Sequence, residues 1–189
     1  MGALGNLDTG TNNVAVGVNA GYTNSPAGSI TSGSNIVVLG DNNTTDFYCA
    51  DTSISSSDQR DKADITDFTH GLDWVTQMRP VTYKWDKRSW YNDWEENPDV
   101  DLLTLTPDGT HKKDKVNIGL LAQDIRAIEA ADGFATNRDT QLVAYDNVDG
   151  KSMGVKYERL VPVLINAIKE LKAEVDTLKT KVAALEGGE

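Results

Sequence analysis

The chain has 189 residues and a formal net charge of −11, with 29 Asp and Glu against 18 Lys and Arg. That length holds one ordinary domain plus an accessory segment. The acidic balance argues against nucleic acid, whose phosphates call for a basic face, and against docking on anionic membranes. No apolar run is long enough for a membrane span and no basic-then-apolar leader opens the chain. Met1-Gly2 reads as a junction on a fragment of something longer.

Residues 1–56 hold four Asp and no Lys, Arg or Glu. The stretch "GTNNVAVGVNAG" (10–21) aligns with "GSNIVVLGDNNT" (33–44) at an offset of 23. Val14, Val16, Val37 and Leu39 lie in short alternating runs that end at Gly17 and Gly40, with Asn and Gly at the corners. Short strands at a fixed period predict a β-solenoid or an interwoven β-helix. Two repeats bury too little to stand alone, so further repeats or other chains must cover them. Cys49, a lone cysteine with no Cys/His cluster around it, reads as a small buried hydrophobe without a disulfide.

From residue 57 charge becomes dense and mixed. Phe68, Leu72, Val75 and Met78 have helical spacing and predict a short helix from about 67 to 78. Pro80 opens a stretch in which Val81, Tyr83 and Trp85 alternate as in a strand. Residues 86–115 read as a long exposed hairpin or loop. The segment 116–131 starts as a strand and becomes a helix near Ala122, and a hairpin turns at Asp149-Gly150. Trp74, Trp85, Trp90 and Trp94 read as packing residues rather than a ligand cage. His70 and His111 stand far apart, which argues against a His-based metal site or triad. No motif calls for a metal, nucleotide or redox cofactor.

Residues 156–186 predict one long helix. Val161, Leu164, Ile168, Leu171, Val175, Leu178, Val182 and Leu185 step by three and four, a four-heptad seam flanked by charged residues. Nothing after Glu186 is long enough to cover this seam, so self-association is expected. β-branched residues at one seam position with leucine at the other would on their own favour two strands.

The border between the first two regions is "SISSSDQRDKADI" (53–65). Ser57 and Lys62 are five apart, and a turn between them lets the lysine arm fold back on the hydroxyl. Ser/Lys pairs are a variant of the serine-triad logic, provided the lysine is desolvated or placed near another cation. Arg60 supplies such a cation or positive potential for an oxyanion, and Asp58 fixes Arg60 or Lys62. A serine-rich, charged linker has the same composition.

Further landmarks narrow the reading. "SDQRDKADI", with Ser57, Asp58, Arg60, Lys62 and Ile65, resembles the opening motif of the C-terminal intramolecular chaperone domains of phage tail fibres, tailspikes and endosialidases. "MRPVTYKW" resembles that family's proline-then-Tyr/Trp strand. "GLLAQDI" resembles its Gly-x-x-Ala-Gln-Glu segment, with Asp124 where Glu is common. "GVKYERL" and the helix after it resemble its Tyr-x-x-Leu start and terminal coiled coil. The resemblance covers about residues 57–186.

The resemblance implies an α+β homotrimer in three parts: the end of a β-stalk (1–56), an autoproteolytic mixed α/β chaperone domain (57–155) and a trimeric coiled-coil helix (156–189). It overrides the two-strand hint of the heptads. By carry-over Ser57 is the nucleophile and Lys62 the general base of a single-turnover serine endopeptidase. The scissile bond joins Ser56 to Ser57, and Asp58, Arg60 and Gln123 support the site. Ser53, Ser55 and Ser56 compete as nucleophiles, but Asp, Arg and Lys stand at the matching offsets from Ser57 alone. Asp61 departs from the apolar residue common before the lysine, and a carboxylate there is expected to slow the cut. The implied partners are two further copies of the chain and the upstream stalk, with no nucleic acid and no membrane. The expected location is the virion tail fibre for residues 1–56, with 57–189 released into the host cytoplasm during assembly. The alternatives are a non-cleaving trimerisation domain and a receptor-binding fibre tip.

Overall fold

The computed structural model describes residues 2–51 and 54–187 of the chain. Two strands, β1 (Val14–Val16) and β2 (Val37–Leu39), pair in parallel with Val14 opposite Val37, Ala15 opposite Val38 and Val16 opposite Leu39. Residues 23 apart in sequence therefore sit side by side, so the repeat period is the length of one coil. The corners repeat as well. Thr11 N donates to Ser34 Oγ at 2.9 Å, Asn12 Nδ2 to Asn35 Oδ1 at 2.7 Å, and Ile36 N to Asn13 Oδ1 at 3.0 Å. Asn12 and Asn35 share a left-handed backbone (φ 57° and 61°), as do Gly17 and Gly40 (φ 107° and 73°). Asn and Gly tolerate that region, which is why they mark the corners of both coils.

Alternation sorts the strand side chains. Val38 points into a small core with Ala20, Ile30, Leu4, Leu7, Ala15 and Ile36. Val14, Val16, Val37 and Leu39 point outward and are exposed. The coil leans on the rest of the chain. Asp149 Oδ2 accepts from Ser29 N at 3.0 Å, Val148 N donates to Ala27 O at 2.8 Å, and Val148 enters the coil's core. On another side Asn42 O accepts from Lys87 Nζ at 2.9 Å and Trp90 Nε1 at 3.2 Å.

The middle region is small and mixed. Strand β3 (Val81–Lys84) pairs antiparallel with β4 (Val116–Gly119), closing the long excursion between them at its base. The excursion is less exposed than expected: it contains 3-10 turns at Arg88–Tyr91 and Leu102–Thr104 and buries Ser89, Trp94 and Leu102. The helix expected over 67–78 is reduced to α1 (Leu72–Val75). Its start is held from outside. Asn166 Nδ2 donates to Phe68 O at 2.6 Å, and Glu170 Oε2 accepts from Leu72 N at 2.8 Å, which ties the segment before α1 to the C-terminal helix and leaves residues 68–70 outside α1. A Cβ on Gly71 would lie 2.6 Å from Ala167 N, so only glycine lets α1 approach the C-terminal helix this closely.

Helix α2 (Ala122–Ala131) follows β4 directly, as the change of period at Ala122 predicts. Hairpin β5 (Ala144–Asp146) and β6 (Met153–Val155) turns through Gly150 at φ 71°. Trp74, Ile128 and Val163 form one core, and Ile125, Val143 and Ala144 a second beside it. Among the described residues the strands make three two-stranded sheets and no closed barrel.

The last element, α3 (Leu160–Glu186), begins after a 3-10 turn at Tyr157–Arg159, slightly later than expected. Its 27 residues span about 40 Å. Val163 and Ala167 face the domain core. The seam from Val161 to Leu185 faces away from it, and every residue from Leu171 to Glu186 is exposed. Among the described residues no helix is long and apolar enough to cross a membrane. Cys49 is exposed rather than buried: it lies in the connection after the second coil, where no core reaches it, and its Sγ donates to Asp51 O at 2.9 Å.

Candidate active site

Residues 54–67 run as an exposed strap between the coil and α1. Within it the chain folds back once, through a 3-10 turn at Gln59–Asp61. Asp58 caps that turn, its Oδ1 accepting from Arg60 N at 2.9 Å. The same carboxylate grips the Arg60 guanidinium in fork geometry, with Nε to Oδ1 at 3.0 Å and Nη2 to Oδ2 at 2.6 Å. The turn closes with Lys62 N donating to Gln59 O at 3.2 Å, after which the backbone is extended again. Lys62 then reaches back five residues and its Nζ donates to Ser57 Oγ at 2.7 Å. A hydroxyl and an amine at that distance are within proton-transfer reach.

The electrostatics follow from these contacts. The Arg60 side chain, then its backbone N–H, holds the Asp58 carboxyl below its ordinary range, and Asp58 in turn raises the Arg60 guanidinium. Arg60 is thus committed to Asp58, and Asp58 acts as the clasp of the turn rather than as a partner of Lys62. Among the described residues no ion pair joins Asp61 to Lys62. Ser55 and Ser56 are exposed, and no hydrogen bond joins Lys62 to either. Ser53 lies outside the described residues.

Gln123 is not brought to this turn. It stands exposed in the first turn of α2 and lines a cleft of about 850 Å³ with Trp85, Arg88, Arg138 and Tyr145 on the domain side and Ala27 and Ile36 on the coil side. The resemblance groups the Ser57–Lys62 pair, the Asp58–Arg60 clasp and Gln123, and the fold of one chain brings together the first two.

Two structural groups escaped the reading of the sequence. Glu129 is fully buried and accepts from Val143 N at 2.6 Å, Ala144 N at 3.0 Å and Leu142 N at 3.2 Å, which ties α2 to the start of β5. Its signal was present: Glu129 stands four residues after buried Ile125, on the inner face of α2. Lys87 carries the second. Burial pushes its ammonium below the ordinary lysine range, and it lies between the rings of Trp85 and Trp90 while bonding Asn42 O. Burial of a lysine has no local sequence mark.

Residues 57–134 match the model of a peptidase family described as "Chaperone of endosialidase". The match begins at Ser57, the first residue of the turn just described. No curated protein matches the chain.

Proposed function

We propose, since residues 57–134 match the peptidase-family model described as a chaperone of endosialidase, that this chain is a trimeric folding module that cuts itself from a phage fibre stalk between Ser56 and Ser57. The observation that carries the reading is the 2.7 Å contact of Lys62 Nζ with Ser57 Oγ at the first residue of the family match.

In the proposed step an unprotonated Lys62 takes the Oγ proton while Ser57 Oγ attacks the carbonyl carbon of Ser56. The resulting five-membered ring collapses with cleavage of the C–N bond, and the Ser57 nitrogen receives the proton. The amide has become an ester. Water then cleaves the ester, leaving the Ser56 carboxylate on the stalk and a free hydroxyl on Ser57. The attack is intramolecular, so proximity replaces a substrate pocket and each chain turns over once.

The exposure of the dyad couples this chemistry to assembly. A lysine base requires desolvation or a nearby cation. Among the described residues nothing covers Lys62, and Arg60 is held by Asp58. Two apolar surfaces also lie open: the outer faces of β1 and β2, and the seam of α3. Three parallel copies would cover both at once, and a closed ring of that kind ends growth. Burial of the strap against neighbouring copies then switches Lys62 on. The seam sets a common register for a β-stalk whose long-range pairing is slow and prone to aggregation, and removal of the module afterwards leaves the stalk kinetically trapped.

Intact mass and N-terminal sequencing of the incubated full chain test this. The expected product starts at Ser57. An uncut chain that still forms trimers would overturn self-cleavage and favour the non-cleaving trimerisation domain, the reading that an uncovered dyad also supports.

A further inference from the structure

We propose that His70, Asp73 and Asp132 form a binding site for a divalent transition-metal ion of the zinc class, which braces α1 against the end of α2. The three residues come from the entry to α1, its first turn and the residue that ends α2, and their ligand atoms all lie within 4.8 Å of one another.

The decisive feature is that both carboxylates converge on one ring nitrogen. Asp73 Oδ2 lies 2.8 Å and Asp132 Oδ2 3.6 Å from the same His70 Nδ1. One N–H satisfies only one of them. A cation accepts the nitrogen lone pair and both carboxylates together. Zinc bonds to nitrogen and oxygen are about 2.0–2.2 Å long, so tetrahedral ligands sit about 3.4 Å apart. The His70–Asp132 spacing already fits. The His70–Asp73 hydrogen bond opens by about half an ångström, which an exposed aspartate accommodates by rotating. A fourth position stays open to solvent on the carboxylate side.

The surroundings resemble the supporting groups of built metal sites. Gly71 N donates to Asp73 Oδ1 at 2.8 Å and orients that carboxylate from behind, while Trp74 Nε1 donates at 2.6 Å to Asp132 Oδ2, the oxygen that faces His70, and fixes its position. The imidazole is stacked on Trp74 with centroids 4.8 Å apart, and the Phe68 and Phe134 rings pack around it. That apolar wall strengthens electrostatic attraction on the open side. The site is also short of positive charge. Among the described residues no Lys or Arg pairs with Asp73, Asp132 or the neighbouring Glu170. The reading of the sequence missed this site because it sought a second histidine, whereas the fold brings two aspartates to one.

The test is a zinc and cobalt(II) titration of the tag-free full chain carrying Ser57→Ala, followed by calorimetry and visible absorption. The expected result is one ion per chain, with affinity at least about tenfold weaker in Asp132→Asn and in His70→Phe. The phenylalanine keeps a ring on Trp74 but has no ligand nitrogen, so circular dichroism of that variant separates lost binding from lost fold. Cys49→Ser should bind as the parent does. A chelator should lower the melting temperature of the metal-loaded parent and leave that of His70→Phe unchanged. Absence of binding, or equal binding by the parent and His70→Phe, would overturn the proposal. So would loss of binding in Cys49→Ser. None of these readouts depends on cleavage.

Discussion

Lys62 Nζ stands 2.7 Å from Ser57 Oγ, yet neither side chain is covered by any other described part of the chain. The pair is joined by a purely local turn, and what it lacks is an environment. Geometry is thus supplied by the six residues from Ser57 to Lys62, while in the proposed reading desolvation is left to assembly. On the proposed reading, the cut waits until copies of the chain have met.

Replacement of Ser57 should stop the proposed cut, and replacement of Lys62 should slow it strongly. Ser57→Ala removes the attacking oxygen and should abolish the fragment beginning at residue 57. Lys62→Ala removes the base and should slow cutting by at least about 100-fold. Gel mobility over days, with N-terminal sequencing of any product, reads both. A fragment that still starts at residue 57 in Ser57→Ala would assign the chemistry elsewhere.

In the proposed site Asp58 is a positioning residue. Asp58→Ala removes the cap of the 3-10 turn together with the fork to Arg60, and should slow cutting by about tenfold without changing the oligomer. Asp58→Asn keeps an acceptor for Arg60 N and should recover part of that loss. Equal rates for the alanine variant and the parent would show that the turn forms without its clasp.

The same contact predicts an acid limit. The folded Asp58 carboxyl titrates below its ordinary value of 3.8 because it accepts from the Arg60 side chain and backbone. A group with a lowered folded value favours the turn above its unfolded value, and the contribution disappears as pH falls through the lowered one. The turn should therefore be intact near neutral pH and open only in strong acid. Carboxyl-carbon NMR should place the Asp58 midpoint below 3.8, and Arg60→Ala should return it toward that value.

The seam of α3 should govern association and leave the domain folded. Leu171 and Leu178 are 45% and 58% exposed in the single chain. Leu171→Glu with Leu178→Glu places charges in an apolar seam and should give monomers by sedimentation, with an unchanged near-UV spectrum for the middle region and no cleavage. Cutting by a monomeric form would break the proposed link between assembly and catalysis.

Stability of the middle region should rest on α2. Ile125→Ala empties a fully buried position and should cost about 2–5 kcal/mol. Glu129→Gln replaces an acceptor of three backbone N–H groups by one with a single carbonyl oxygen, which leaves buried donors short and should cost about 1–3 kcal/mol. Thermal melts of the Ser57→Ala background measure both without interference from cleavage.

Local periods were readable in advance. The 23-residue repeat, the change from strand to helix at Ala122, the hairpin at Gly150 and the seam of α3 all depend on spacing along the chain, and spacing is preserved when the chain folds. Ser57 and Lys62 belong to the same class, because one short turn spans them. The helix expected over 67–78 shows the limit. Its periodicity is genuine, but Asn166 and Glu170, almost a hundred residues later, capture its first turn and leave only Leu72–Val75 helical. Long-range meetings of this sort also decide that Gln123 faces the cleft instead of the turn, that Glu129 closes on the amides of β5, and that His70 finds Asp132. They follow from the path of the whole chain, where burial and unsatisfied backbone groups outweigh local preference, and no window of sequence contains both partners.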